Sequence, residues 1–396
     1  MITPFRILCA TGFTAIFSAV IAKSPVLPLF ATHLGGDPAR VGLVAAMSAF
    51  TGVVFSIPAG ILADRFGKRR MLLISSLIFV SAPFSYLVVT HIWQLAIVRL
   101  YHGLATAIFT PISMALVSEL FQKERGEKMG WFSTATLLGR FAAPLAGGGI
   151  ISAMAVYGSF QFTAVYIVCS VAGIATFLIA LHIPRGTEQH ATGKSWQGSW
   201  ETFKAVITSR AIIITSAVEA AILFLYGTFE TFLPLYALKS GFTTAEVGIF
   251  LSVQIITLAL TRPSMGRFSD MHGRKPQIFF GALLGAVCMG LLAFVQGFVW
   301  FLTVSIFIGL SLSIVTAATS ALIADLSKSE GRGSAMGILG SIMDIGHTTG
   351  PIVAGIVAAM YGFEKAFLVA AALLATLALI FLMHAGRSAL YDFQKG

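Results

Sequence analysis

Gly60-Ile61-Leu62-Ala63-Asp64-Arg65-Phe66-Gly67-Lys68-Arg69-Arg70 separates two long apolar runs, and four of its last six residues are cations. A basic turn this short between hydrophobic segments is held on the cytoplasmic side of a membrane, because positive loops resist translocation. Asp64 is the exception. At the last turn of an outer-to-inner helix it meets the negative end of its own helix dipole, so a compensating group is expected elsewhere in the chain.

The 396-residue chain is 57% hydrophobic and only 11% charged, too little polar surface to coat a water-soluble globule of this size. Apolar runs of about 20 residues, the length that crosses a hydrocarbon core, recur twelve times, over 6–32, 40–63, 70–90, 93–120, 128–156, 160–183, 211–239, 245–266, 276–296, 299–325, 333–360 and 364–385. An all-α, multi-pass protein of the cytoplasmic (inner) membrane is expected. With the amino terminus inside, Arg40, Lys239 and Lys365 are the cations left in outer loops, and Lys23, Arg99, Arg140 and Arg262 fall within spans. All other Lys and Arg lie in inner segments, which makes both termini cytoplasmic. The net charge of +10 then serves topology and contact with anionic lipid, and no nucleic-acid partner is expected. Cys9, Cys169 and Cys288 sit in separate spans and offer no disulfide or metal framework. No metal and no cofactor is expected.

Sliding the chain on itself by 206 residues lays Gly60, Asp64, Gly67 and Lys68 on Gly266, Asp270, Gly273 and Arg274. The same shift carries Pro28-Leu29-Phe30 onto Pro234-Leu235-Tyr236 and Val41-Gly42 onto Val247-Gly248. Two parallel six-helix pseudo-repeats around a central cavity are predicted: 1–183, a linker at 184–210 with a possible interfacial helix around Trp196, Trp200 and Phe203, and 211–396. The first 30 residues have the look of a secretory signal, but the first span has an internal counterpart in the repeat and is read as structural.

Parallel six-helix halves are a transporter architecture, with cargo held near the midplane where the bundles meet. The Gly60–Arg70 stretch resembles the signature of the major facilitator superfamily, Gly-x-Leu-Ala-Asp-Arg-x-Gly-Arg-Arg, with Lys68 in place of one Arg. The resemblance extends over the chain through repeat and topology and implies a transporter of that superfamily, similar to its twelve-helix drug/proton antiporters. In the fifth span, Gly130-x8-Gly139-x3-Ala143-Pro144-x2-Gly147-Gly148 resembles the antiporter motif of that group, Ala143 standing for a glycine. The eleventh span repeats it around Gly346, Gly350 and Pro351. Close helix approach and bending are therefore an equal reading of the motif. In the fourth span Leu95-x3-Arg99-x2-His102-Gly103 is similar to the family pattern, with His102 where the family has Gln. In antiporters of this type the Arg is linked to proton transfer.

Ionisable residues present in both repeats serve the scaffold, and those in one repeat are candidates for cargo or protons. Asp64 and Asp270 are shared, as are Glu119 and Asp325. Lys23, Arg99, His102, Arg140, Glu219, Glu230, Asp344 and His347 are not matched in charge, and an ionisable group inside a bilayer is costly enough to imply a role. The cations fall in the first half and the carboxylates in the second. Glu219, Tyr226 and Glu230 share one stripe of the seventh span. Glu230 is favoured for coupling, while Glu219, nearer the inner end, has a solvated alternative. Lys23 and Glu230 lie one position apart in the repeat alignment, which predicts a state-dependent ion pair. Asp344 and His347, three apart, share a face and form either a proton-carrying or an ordinary hydrogen-bonded pair. Arg262 is expected to reach the interface.

The gate is expected at the basic loops. Asp64 would address the amino end of the eleventh span near Gly333, Gly60 would permit that approach, and Arg65 would bridge to Glu119; by symmetry Asp270 would face the fifth span near Glu127. Gly67, Gly266, Gly273, Arg274 and Asp325 complete the duplicated set. The function expected is proton-coupled export of small organic or amphipathic compounds by a monomer in contact with membrane lipid. The alternatives are a proton-coupled uptake symporter for a metabolite or organic anion, with Lys23, Arg99 and Arg140 as the anion site, and a lipid translocator. No Gly-x4-Gly-Lys-Ser/Thr loop, His-Glu-x2-His helix or Gly-x-Ser-x-Gly turn occurs, so an enzyme is not expected.

Overall fold

The computed structural model describes residues 3–184, 210–326 and 332–393, with the side chains of 57, 64, 332–339 and 384–393 outside the description. Among the described residues the chain forms only helices: α1 (Pro4–Ile21), α2 (Val26–His33), α3 (Pro38–Phe66), α4 (Lys68–Tyr86), α5 (Ile92–Leu120), α6 (Arg125–Ala153), α7 (Phe160–Ala180), α8 (Arg210–Lys239), α9 (Thr244–His272), α10 (Arg274–Leu292), α11 (Phe298–Leu326), α12 (Arg332–Tyr361) and α13 (Phe363–Phe393). Since α1 and α2 together make one span, these are the twelve spans read from the apolar runs. Ten are long and apolar enough to cross a membrane. The less apolar two are α4, which opens on Lys68-Arg69-Arg70, and α6, which carries Arg125, Glu127, Lys128 and Arg140. The expected linker and interfacial helix lie at 185–209, outside the described residues.

The first span differs from the continuous helix expected. It breaks between Ile21 and Val26, where Pro25 and Pro28 contribute no N–H to a ladder. The N–H groups of Lys23 and Ser24 turn back onto the Val20 carbonyl at 2.9 and 2.8 Å. Lys23 therefore sits in a break within a membrane span.

The repeats share their turns. Gly67 ends α3 with φ 91° and Gly273 ends α9 with φ 90°, each followed at once by the next helix. A side chain disfavours that backbone region, so glycine at both positions is what permits a turn of one residue. The starts of the same helices are capped by different chemistry at equivalent positions: Asp37 accepts from the Arg40 N–H at 2.9 Å, while Thr243 and Glu246 cap reciprocally, at 2.7 and 3.3 Å. Inside the bundles, Ser75 of α4 donates to the Ala105 carbonyl of α5 at 2.8 Å. Ser311 of α11 donates to the Gly281 carbonyl of α10 at 2.7 Å. These are the same crossing in the two repeats with donor and acceptor helix exchanged.

The helices through α7 form one compact unit together with Glu230–Ile255, the end of α8 and the beginning of α9; the rest of α8 and α9 belongs with α10–α13 in a second unit. In the first unit α1 packs on α6 and α7, α5 on α3 and α4, and α4 on α7. The core between them is apolar, with Leu72, Phe79, Phe109 and Leu116 all buried. Replacing Gly67 or Gly273 by Ala should destabilise the detergent-purified protein by about 1–3 kcal/mol each, read by thermal unfolding.

Candidate functional site

In the first unit the break in the first span places Lys23 Nζ 2.7 Å from Glu230 Oε2, with both side chains mostly buried. This is the ion pair that the repeat alignment predicts. Beside it, Arg99 is 2% exposed, the largest of the fully buried side chains, and its Nη1 donates to the Tyr86 hydroxyl at 3.3 Å. His102 Nδ1 lies 3.3 Å from the same hydroxyl. Tyr166 stacks on Tyr86 with ring centroids 4.4 Å apart. Lys23 feels the charges of both Arg99 and Arg140, and Arg140 is exposed. Tyr86 and Tyr166 were not singled out from the sequence, since only the lateral packing of α4, α5 and α7 brings them to Arg99.

In the second unit Glu219 is 0% exposed, which overturns its solvated alternative. The Thr319 hydroxyl of α11 donates to Glu219 Oε2, and Oε1 is buried without a hydrogen-bond partner. Arg262, which is exposed, acts on Glu219 through its charge. Depth along α8 alone does not reveal this burial, because the cover comes from another helix. Tyr226, one stripe further along, stacks on His347 of α12, with centroids 5.4 Å apart. The Asp344–His347 pair expected from their spacing does not form: the histidine ring turns to Tyr226, and Asp344, half-buried, has no ion pair among the described residues. Glu230, the favoured carboxylate, is engaged by Lys23, whereas Glu219 and Asp344 have no salt bridge among the described residues.

At the basic-loop end the scaffold pairs are duplicated, with partners that differ from those expected. Glu119 pairs with Lys68 at 2.7 Å, not with Arg65, which lies over the ring of Phe66 at 5.5 Å. Because α3 ends at Phe66, the cation that can turn toward the end of α5 is the first residue of α4. Its repeat equivalent, Arg274, holds Asp325 at 2.8 Å and Asp270 at 3.3 Å. Asp270 thus takes its own loop's arginine as partner, and Glu127 pairs with Lys128 at 3.5 Å. An added Cβ at Gly60 or Gly266 would meet nothing within 4 Å among the described residues. The Asp64 side chain and those of 332–339, the two ends of the expected latch, lie outside the described residues. A cavity of about 590 Å³ opens beside the Lys68–Glu119 pair, lined also by Met114, Ala115, Ser118, Gln122, Arg125 and Met129.

The small-residue faces are close contacts. A Cβ on Gly139 would strike the Phe13 carbonyl, one on Gly147 would touch Val26, and one on Gly148 would strike the backbone of Thr244 and Gly248. Gly248 in turn abuts the Pro144 carbonyl. In the second unit Gly346 and Gly350 lie on the backbones of Ala220 and Phe224, and Pro351 lies against Gly227. The duplicated motif therefore packs helices in both units.

Comparison with known proteins decides the family. The profile of the Major Facilitator Superfamily matches residues 7–253 and 240–390. The chain belongs to that superfamily. An uncharacterized MFS-type transporter of Methanocaldococcus jannaschii is 25% identical over 374 residues, 92% of each chain. Multidrug resistance protein MdtG of Klebsiella pneumoniae is 26% identical, covering 90% of this chain and 87% of its own length. Multidrug resistance protein 2 of Bacillus subtilis is 24% identical, covering 89% and 88%. The fold is that of a bacterial homolog of the human lysosomal transporter Spinster, with TM-score 0.82, 15% identity and 99% of both chains covered. It is also that of the nucleoside transporter NupG, with TM-score 0.78, 18% identity, and 96% and 99% covered. The protein is thus a multi-pass membrane transporter of all-α fold. Within it, Thr319→Val should cost about 1–3 kcal/mol by stranding a buried carboxylate; thermal unfolding of the detergent-purified protein reads the loss, which a Glu219→Gln background should reduce.

Proposed function

We propose that this transporter exports small organic or amphipathic compounds in exchange for protons, by alternating rocking of its two halves and without a chemical step on the cargo. The observation that carries the proton is Glu219. It is a buried carboxylate in a membrane span, held by a hydroxyl and not by an ion pair. An unpaired charge at that depth is costly, and binding a proton removes it. Asp344 is a second carboxylate of the same unit without a salt bridge among the described residues, and Arg262 acts on Glu219 through its charge. The names of the two multidrug resistance relatives support an organic cargo and outward transport. Both termini are placed inside, where the basic loops belong.

In this scheme Lys23–Glu230 closes in one state and opens in the other, and the duplicated Lys68–Glu119 and Arg274–Asp325 pairs brace the basic-loop ends near Asp64 and Asp270. Arg99 and His102 in the first unit and Tyr226 in the second are the further candidates for handling cargo or protons. The second reading, proton-coupled uptake of an organic anion, is favoured by one observation, that Lys23 feels the two further cations Arg99 and Arg140 beside its carboxylate partner Glu230.

The test is flux in proteoliposomes carrying an imposed pH gradient, with cationic, neutral and anionic amphipathic dyes as cargo. Exchange predicts that dye accumulates against the direction of proton flow. Accumulation in the same direction would establish symport instead. Glu219→Gln should abolish gradient-driven accumulation while leaving dye-for-dye exchange, whereas a variant that still responds fully to the gradient would remove Glu219 as the proton carrier.

A further inference from the structure

Tyr86, buried at the end of α4, touches three side chains that each leave a buried polar atom unsatisfied. Its hydroxyl has one hydrogen and must serve two neighbours. The Arg99 guanidinium can only donate, so the Tyr86 oxygen accepts there, and the arrangement that leaves no hydroxyl hydrogen idle has Tyr86 donating to His102 Nδ1. The imidazole then carries its own hydrogen on Nε2. That Nε2, Arg99 Nε and the Tyr166 hydroxyl oxygen are all buried with no hydrogen-bond partner, as is Ser24 Oγ in the break beside Lys23. Two of the four are N–H donors and two are hydroxyls able to donate. All of them want an acceptor.

The charge points the same way. Arg99 has no ion pair among the described residues, although its head group is buried. Lys23 feels Arg99 and Arg140 as well as Glu230, so two further cations and one carboxylate act on it. A buried guanidinium without a counter-charge is expensive, and the chain supplies a phenol where a carboxylate is called for. A broken membrane helix, such as the first span at Lys23, is also where transporter folds expose backbone and side chains to cargo.

We propose that Arg99, His102, Tyr86 and Tyr166, with Lys23 at the edge, form a subsite for a monovalent anion, either free chloride or the carboxylate of an organic cargo. Tyr86 is a positioning residue: it holds Arg99 and His102 so that Nε and Nε2 remain free to donate. The cargo form of the subsite rests on the transport reading; the free-ion form does not.

The experiment is equilibrium binding by the detergent-purified full-length protein, using radiolabelled benzoate and radiolabelled chloride, with neutral benzamide as competitor. Saturable binding of either anion, undisturbed by benzamide, is expected. Tyr86→Phe should weaken it about tenfold or more by loss of the ordered charge-assisted donors while leaving the ring stack, and Arg99→Gln should weaken it further. Benzoate displaced by chloride would mean a small-anion site, and benzoate that chloride does not displace would mean a site for the cargo's acidic group. Binding of neither anion, displacement by benzamide, or affinities unchanged in Tyr86→Phe would overturn the proposal; that variant keeps the test open if Arg99→Gln fails to fold. No gradient or flux is involved, so a negative result leaves proton exchange standing, and a failure of proton exchange leaves the subsite standing.

Discussion

Lys23 and Glu230 meet at 2.7 Å inside a segment that hydrocarbon would otherwise surround, and much of the structure follows from that contact. Neither charge is tolerable alone at such depth, and removing one partner of a buried pair leaves the other uncompensated. The pair needs the first span to break, because Lys23 lies in the turn between α1 and α2. It also belongs to the part of α8 that joins the amino-terminal helices in one compact unit.

Around this contact the molecule divides into what is duplicated and what is not. The one-residue glycine turns at Gly67 and Gly273, the Lys68–Glu119 and Arg274–Asp325 pairs, and the Ser75 and Ser311 hydrogen bonds all recur at the repeat interval. They hold helices in register in either half. The groups with no counterpart fall unevenly: Lys23, Arg99 and Arg140 with Tyr86 and His102 in the first unit, and Glu219 and Asp344 in the second. A scaffold has no need of that imbalance. A device that takes up an anionic group in one half and a proton in the other would use it.

The fold was legible because both of its signals are long-range averages, twelve apolar runs and a repeat. The Lys23–Glu230 pair was legible for a related reason, since equivalent positions in the repeat have equal depth. Contacts set by a single turn were not. Whether Arg65 or Lys68 reaches Glu119 depends on α3 ending at Phe66. Whether Asp344 or Tyr226 takes the His347 ring depends on side-chain rotation across two helices. Glu219 reads as solvated when only its distance from the inner end is counted, because Thr319, which covers it, lies 100 residues away. Tyr86 carries no motif at all and gains its place only when α4 packs beside α5.

The most direct test of the account is a double-mutant cycle on the intramembrane pair, read as thermal unfolding of Lys23→Met, Glu230→Leu and the combined variant in detergent. A buried pair predicts that each single change is strongly destabilising, by about 3–5 kcal/mol, and that the combination recovers most of the loss, because no charge is left unpaired. Losses that simply add would show that the two side chains do not depend on one another, and would contradict the account.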